Sequence, residues 1–216
     1  AGEHHALLNE HGISFYIEKD GHKILFDTGQ SDAFLKNAAQ MRIDLSDLDI
    51  VVLSHGHYDH SGGFRHLVSL SRSFQLKVGK GFFEDKYALR KNACDFLGNN
   101  FDESFLNASR IPYSFVTGEV EEILPGVHIL GGFPRLHEDE KVNPRFFLLK
   151  AGRFEHDPFD DEILLALDIP QGLIVLLGCA HPGMKNMLDA VKLRFGRPVY
   201  GVLGGTHLVE SKGEGL

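Results

Sequence analysis

The sequence predicts a mixed α/β fold in which many short strands are separated by a few helices. Short runs rich in β-branched and aromatic residues recur along the chain, whereas helical periodicity is found in only a few segments. Neither a fixed-period repeat nor a linker-like change in composition divides the sequence. Its 216 residues can bury a substantial core, so we expect a single domain over residues 1–216.

The first elements lie on either side of a turn signal. Residues 12–19 and 22–27 are strand-like runs joined by Asp20-Gly21, a dipeptide that favours a hairpin. An antiparallel start is therefore expected. Residues 32–41 carry apolar side chains at helical spacing after polar capping residues, and this pattern predicts a helix.

A strand and the next helix follow in the middle of the chain. Residues 48–55 form a continuous apolar run of strand length, which is typical of a strand buried on both faces. A helix is predicted after Gly62-Gly63, and a strand is predicted over residues 75–78. We interpret residues 79–110 as an insertion that could supply substrate contacts, with a candidate helix around residues 84–90.

The second half of the chain continues the pattern. Residues 184–195 have the periodicity of a helix. The remaining strand candidates are short apolar runs that begin at Ser114, Gly126, Pro144, Ile163, Leu173 and Pro198.

Composition excludes several classes of function. A net charge of −8 argues against binding to nucleic acid or to an anionic membrane, because both require clustered Lys and Arg. The longest apolar run, residues 172–179, is too short to cross a bilayer. The two cysteines, Cys94 and Cys179, are far apart, so no disulfide framework is expected. We expect a cytoplasmic protein without a signal peptide that acts on a small molecule.

The chemistry is concentrated in His55-Gly-His57-Tyr-Asp59-His60, on the loop between a buried strand and a helix. Imidazoles and carboxylates are the ligands that hold zinc and similar divalent metals. At the two-residue period of an extended chain, His55 and His57 fall on one side, while Asp59 and His60 turn away with the following loop. One motif could thus serve two adjacent metals. With 13 histidines a chance cluster or a solvated loop is the alternative, but the density of ligands favours a metal site.

This motif, with Leu53-Ser54 before it and Leu25-FDTG-Gln30 upstream, resembles the signature of the metallo-β-lactamase superfamily. The resemblance implies a four-layer αββα sandwich with the metals at one edge. It also implies that Asp27 braces the metal loop without ligating a metal. A turn-forming role before Thr-Gly is the other interpretation of Asp27.

Four segments are similar to the dihydropteroate-synthase-like branch of that superfamily, which is related to the methanopterin pathway. They begin at Glu10, Ile24, Gly178 and Gly204 and span nearly the whole chain. By this resemblance His181 completes the first metal site with His55 and His57, and His207 replaces a bridging aspartate.

Two departures from the family pattern accompany this resemblance. Imidazole cannot bridge two metals as a carboxylate can, which weakens a binuclear assignment. For His181 and His207, a hydrogen-bonded residue at a strand end is the alternative interpretation. Related sequences also carry a further helix, strand and histidine motif after Gly204-Gly-Thr-His207. The chain is therefore interpreted either as a shortened member or as incomplete at its ends.

Other polar residues near these motifs are left outside the predicted site. Cys179 could ligate a soft metal as a thiolate, but we favour a small buried residue at a strand end. His156, Asp160 and Asp161 lie in an acidic loop that could assist the site, although a capping or solvated role is favoured. Basic residues that could bind a phosphate or carboxylate are Arg135, Lys141 and Arg145, and such scattered residues are usually solvated.

The predicted function is that of a metal-dependent hydrolase that cleaves an ester, a phosphoester or a related bond. We expect one or two divalent ions, zinc in the first place and manganese or iron as alternatives. Asp59 and His60 are the predicted catalytic residues, with Asp59 orienting the nucleophile. The substrate is expected to be a small molecule, phosphorylated or pterin-like.

Three other functions stay open. A pterin-pathway synthase is suggested by the branch resemblance, and a metal-dependent binding or sensing domain without turnover is suggested by the atypical His207. An electron-transfer di-iron protein ranks last, because such members place an acidic residue where His57 stands.

Overall fold

The structure, a computed structural model, describes residues 7–207. The helices are α1 (Ala33–Gln40), α2 (Tyr58–Ser61), α3 (Phe64–Leu70), α4 (Glu103–Ser109) and α5 (Met184–Phe195). The strands of the first half are β1 (Phe15–Lys19), β2 (His22–Phe26), β3 (Ile50–Leu53), β4 (Gln75–Gly79), β5 (Lys86–Arg90) and β6 (Ala93–Phe96). Those of the second half are β7 (Tyr113–Val116), β8 (Val120–Leu124), β9 (Val127–Leu130), β10 (Phe146–Lys150), β11 (Arg153–His156), β12 (Leu164–Ile169), β13 (Gly172–Leu177) and β14 (Val199–Gly204). Among the described residues, no helix is long and apolar enough to cross a membrane.

The first sheet has the strand order β1-β2-β3-β4-β7. β1 and β2 form the predicted antiparallel hairpin, and both turn residues, Asp20 and Gly21, have positive φ angles of 53° and 83°. Such angles suit a two-residue turn whose twist matches that of the strands. β2, β3, β4 and β7 then run parallel to one another. All four residues of β3 are buried, as its continuous apolar run predicts.

The second sheet has the order β14-β13-β12-β9-β8. Its pairings are antiparallel except for β13 with β14, which are parallel and connected through α5. A parallel pair requires such a crossover, because the chain must return to the same edge before the next strand begins.

The two sheets pack face to face with helices outside. Alternate residues of β3 divide between two cores: Ile50 and Val52 face the second sheet, whereas Val51 and Leu53 face α1, α3 and α4. α5 covers the outer face of the second sheet through Met187. The layers are therefore helix, sheet, sheet and helix, which confirms the predicted αββα sandwich.

A third, four-stranded sheet with the order β11-β10-β5-β6 was not predicted. The candidate helix over residues 84–90 is wrong, because this segment contains β5, paired with β10 and β6. The buried positions of β5 are Lys86 and Ala88. Because one of these two positions is a lysine, the segment lacks the alternation of apolar and polar residues that predicts a strand. The two edge strands of this sheet, β6 and β11, are largely exposed. Neither has a buried apolar face that a sequence pattern could reveal.

Candidate metal centre

The histidine motif lies where β3 leaves the first sheet. His55, His57, Asp59 and His60 are all buried, with at most 6% of each residue exposed. Gly56 separates the first two histidines, and a Cβ atom there would lie 2.2 Å from the Phe82 carbonyl oxygen. Glycine is therefore required for the loop to pass against the segment that precedes β5.

His181 joins this loop from the second sheet. It follows β13, and its ring lies 4.9 Å from that of His55 and 5.0 Å from that of His57, measured between centroids. One ligand atom from each of these three imidazoles lies within 4.8 Å of the other two. The structure thus brings together residues that are far apart in sequence at one edge of the sandwich.

The nitrogens of this trio fit a metal ion. The Nε2 atoms of His55, His57 and His181 are buried, and none has a hydrogen-bond partner among residues 7–207. An unpaired buried polar atom is costly unless a further group satisfies it. Burial also lowers the pKa of each of the three imidazoles well below its ordinary value, which favours the neutral form that binds metals.

His60 occupies a different environment. Its Nδ1 lies 2.6 Å from Asp27 Oδ2, and Asp27 also accepts hydrogen bonds from the backbone N–H and the hydroxyl of Ser54. Burial lowers the pKa of His60, but the Asp27 carboxylate outweighs it and raises that pKa well above the ordinary value. Asp27, the predicted bracing residue, thus holds both His60 and Ser54 in place. Because Asp27 contacts Nδ1, the Nε2 atom of His60 stays available for another partner.

The other predicted ligands lie at the margin of the trio. Asp59 Oδ2 is 3.6 Å from His60 Nε2 and 3.4 Å from His11 Nε2. The ring of His207 lies 4.5 Å from that of His181, with a backbone φ of 48°. Among the described residues, neither Asp59 nor His207 belongs to a group of three whose ligand atoms converge.

Cys179 belongs to a second convergent group. Its Sγ lies 3.0 Å from His60 Nε2, and the ligand atoms of His55, His60 and Cys179 all fall within 4.8 Å of one another. The favoured sequence interpretation, a buried strand-end residue, did not include this contact.

Buried polar side chains hold the histidine loop and the strand end that carries His181. Lys86 Nζ donates to Asp157 at 2.8 Å and to Asp161 at 2.9 Å, while the other Asp161 oxygen accepts the Gly56 amide at 2.9 Å. Glu162 accepts the amides of Ala180 and His181 at 2.6 and 2.9 Å. Burial raises the pKa of Glu162 to about 8, against the effect of these hydrogen bonds.

These contacts correct the interpretation of the acidic loop. Asp161 is buried and ion-paired, so the favoured capping or solvated role is wrong for it, whereas Asp160 and His156 are exposed. Sequence reasoning missed Lys86 and Glu162 altogether. The run of acidic residues directly before a buried strand was a signal for Glu162, whereas nothing around Lys86 distinguished it from a surface lysine.

An open cavity of about 220 Å³ lies in front of the histidines. Its wall includes His57, Asp59 and His181 together with two arginines, Arg90 and Arg145. The Arg145 guanidinium lies 4.7 Å from the centroid of the Phe146 ring, which also lines the cavity.

The other basic residues that the sequence singled out lie elsewhere. Lys141 lines a neighbouring cavity of about 350 Å³ that also reaches His181 and His207. Arg135 donates to the Pro158 carbonyl.

Replacing Asp27 by asparagine tests its bracing role. The variant removes the charge that orients His60, so we expect binding of an ion at His60 to weaken by roughly 10–100-fold. Metal titration by calorimetry measures this change. Asp49→Asn is the control, because Asp49 is a half-exposed aspartate whose carboxylate accepts the Lys23 amide at 2.8 Å. Equal affinities in Asp27→Asn and wild type would contradict the role.

Several known proteins are similar to this chain. A family model of the metallo-beta-lactamase superfamily matches residues 10–72. A 7,8-dihydropterin-6-methyl-4-(beta-D-ribofuranosyl)-aminobenzene-5'-phosphate synthase of Methanocaldococcus jannaschii is 28% identical, over 99% of this chain and 76% of the relative. An uncharacterized protein of the same organism is 30% identical, over 93% of this chain and 73% of the relative.

Solved structures give a similar result. Tm1679, a metal-dependent hydrolase of the beta-lactamase superfamily, superimposes with a TM-score of 0.79 at 30% identity, covering 96% of this chain and 73% of that one. AiiA of B. thuringiensis, with N-decanoyl-L-homoserine bound, superimposes with a TM-score of 0.55 at 14% identity, covering 89% of this chain and 80% of that one. The second likeness is one of fold alone.

Proposed function

Because this chain belongs to the metallo-β-lactamase superfamily, we propose that it is a metal-dependent hydrolase that cleaves an ester, a phosphoester or a related bond of a small molecule. One observation carries the proposal. Three buried imidazole nitrogens converge at the edge of the sandwich without a hydrogen-bond partner among the described residues. Such an arrangement is costly in a protein that does not bind a cation there.

The residues divide into two sets of proposed ligands. His55, His57 and His181 would hold the first divalent ion, and Asp59, His60 and His207 are the proposed ligands of a second. A divalent ion supplies Lewis acidity, which polarises a scissile carbonyl or phosphoryl oxygen and makes water a stronger acid. Zinc is the expected ion, with manganese or iron as alternatives.

The protein's own groups would orient the reactants. Asp59 is 6% exposed and lines the cavity, where its carboxylate can accept a proton from a water molecule and direct the lone pair of that water toward the substrate. His60, held by Asp27, stays beside it. A fixed carboxylate acceptor such as Asp59 lowers the barrier because it needs no reorganisation during the reaction.

The cavity favours a small anionic substrate. Arg90 and Arg145 line it, and guanidinium groups bind phosphate or carboxylate through paired hydrogen bonds. The Phe146 ring also lines the cavity, although it is 3% exposed and lies beneath the Arg145 guanidinium. Arg90 comes from the segment 79–110, the predicted insertion, which thereby contributes to the cavity wall. A phosphorylated or pterin-like molecule suits this lining.

A synthase of the pterin pathway is the second candidate. It is favoured by the likeness to the M. jannaschii synthase, which extends over 99% of this chain. Both candidates use the same cation site, so turnover and not metal content separates them.

Generic phosphodiester and lactone substrates test the hydrolase directly. We expect slow turnover that a chelator abolishes and that added zinc restores, because the proposed reaction depends on the ion. Hydrolysis is followed by chromophore release or by proton release, titrated with base at fixed pH. A metal-loaded protein without turnover on either class would contradict the hydrolase and leave the synthase or a binding domain.

A further inference from the structure

We propose that Cys179 is a metal ligand: its sulfur and His60 Nε2 form the core of the second cation site, which therefore selects a soft or borderline divalent ion. The inference rests on the proposed function, since it concerns the same centre. It changes the second ligand set, which the sequence pattern built from Asp59, His60 and His207 without the cysteine.

The contact between the two side chains carries the first step. His60 Nε2 lies 3.0 Å from Cys179 Sγ, while Nδ1 of the same ring is held by Asp27 at 2.6 Å. The ring cannot turn without losing that buried ion pair. Nε2 is therefore held pointing at the sulfur. Metal-binding histidines are oriented in the same way, with one ring nitrogen on a carboxylate and the other directed at the metal.

His55, a proposed ligand of the first ion, lies beside this pair and marks it as part of the same centre. Its Nε2 is fully buried and has no hydrogen-bond partner among residues 7–207. Ligand atoms of His55, His60 and Cys179 lie within 4.8 Å of one another. Ligands of a tetrahedral zinc ion lie roughly 3.3–3.8 Å apart for bonds of about 2.0–2.3 Å. Asp59 Oδ2 lies 3.6 Å from His60 Nε2, so Cys179, His60 and Asp59 would hold the second ion while His55 stays with the first.

The backbone holds Cys179 in place for this role. A Cβ atom at Gly178 would lie 2.2 Å from Ser54 Oγ, so only glycine lets this strand end approach the histidine loop. The Gly205 amide donates to the Gly178 carbonyl at 2.8 Å, and Glu162 accepts the two amides that follow Cys179. Hydrogen bonds on both sides thus fix the position of the sulfur.

Ligation has a simple proton balance. The Cys179 thiol and Nε2 of the His60 imidazolium each release a proton to solvent, and bonds from the sulfur and from Nε2 to the ion would replace the hydrogen bond between the two side chains. Thiolate prefers zinc, cobalt or cadmium to magnesium or manganese, so the sulfur narrows the range of ions that the centre accepts.

Cobalt titration tests the proposal with a matched control. Metal-free wild type, Cys179→Ser and Cys94→Ser would each be titrated with Co²⁺ while the near-ultraviolet absorption is recorded. Cys94 is the other of the two cysteines and is exposed on β6. We expect a thiolate-to-cobalt charge-transfer band in wild type and in Cys94→Ser, and its loss in Cys179→Ser.

Two further measurements keep the outcome decisive. His181→Ala is expected to lose the first ion and keep the band, which places the sulfur at the second site. X-ray absorption of zinc-loaded wild type, which needs no variant, is expected to detect a sulfur neighbour at about 2.3 Å. A wild type that binds ions without the band or the sulfur neighbour would overturn the role of Cys179 and leave the hydrolase proposal intact. A wild type that binds no ion would overturn both.

Discussion

Replacing His57 by alanine is expected to give a folded protein that has lost its first divalent ion and almost all of its turnover. His57 would contribute one of three imidazoles to that ion, and two remaining ligands hold zinc much more weakly. A lost metal ion costs several kcal/mol of transition-state stabilisation. A loss of about 4 kcal/mol corresponds to a roughly thousandfold lower rate.

The fold should survive this change. The imidazole contacts the rings of Phe146 and Phe159, at centroid distances of 5.6 and 5.4 Å, but its Nε2 has no hydrogen-bond partner among the described residues. Alanine preserves the backbone carbonyl of residue 57, which accepts the amides of His60 and Ser61. The variant therefore removes a polar atom that contributes no described hydrogen bond.

Elemental analysis and turnover, measured on the same preparation, check this prediction. His156→Ala is the control, because His156 lies exposed on β11 outside the proposed ligand sets. It should keep the wild-type metal content and rate. A His57→Ala protein with unchanged metal content would remove His57 from the ligand set.

Replacing Lys86 by methionine is expected to lower the free energy of unfolding by about 3–5 kcal/mol. The lysine side chain is 2% exposed and is paired with Asp157 and Asp161, which are equally buried. Methionine fills similar volume but removes the positive charge. Two carboxylates would then stay buried without their cation, which is the costly way to break a buried ion pair.

The pH dependence of this loss follows from the same contacts. Burial opposes the charge on Lys86, but the carboxylates of Asp161 and Asp157 outweigh it and raise the pKa of the lysine. Burial already raises the pKa of Asp157 above its ordinary value although Lys86 lowers it, so loss of the lysine raises that folded-state pKa further. The folded variant then binds protons more readily than the unfolded chain, so its deficit against wild type should shrink as pH falls.

Urea unfolding of Lys86→Met and Lys150→Met measures the effect. Lys150 pairs with Glu84 at 2.9 Å, but its side chain is 42% exposed, and such surface pairs contribute about 0–1 kcal/mol. The two variants remove the same charge from different environments. Equal midpoints of unfolding would show that the buried network contributes little.

A weaker affinity for the first ion is also expected in Lys86→Met, because Asp161, which Lys86 holds, accepts the amide of Gly56 between the two histidines.

The sequence by itself determined those features whose signals are local. The hairpin at Asp20-Gly21 and the buried strand β3 were predicted, because turn geometry and strand burial depend on residues that are adjacent in the chain. Membership of the metallo-β-lactamase superfamily and likeness to its methanopterin-related branch are also confirmed, since the motifs that carry them are short and contiguous. The individual ligand assignments stay predictions.

Only the tertiary structure decided which distant residues meet. Lys86 lies 71 and 75 positions from the aspartates that neutralise it, and His60 lies 119 positions from Cys179. The periodicity of the sequence cannot predict such contacts, because they depend on how the two sheets of the sandwich and the third sheet pack against the histidine loop. A lysine on an inward-facing strand position and a lone cysteine each have an ordinary local pattern. Their roles depend on the low-dielectric interior in which the fold places them, where an unpaired charge or nitrogen must find a partner.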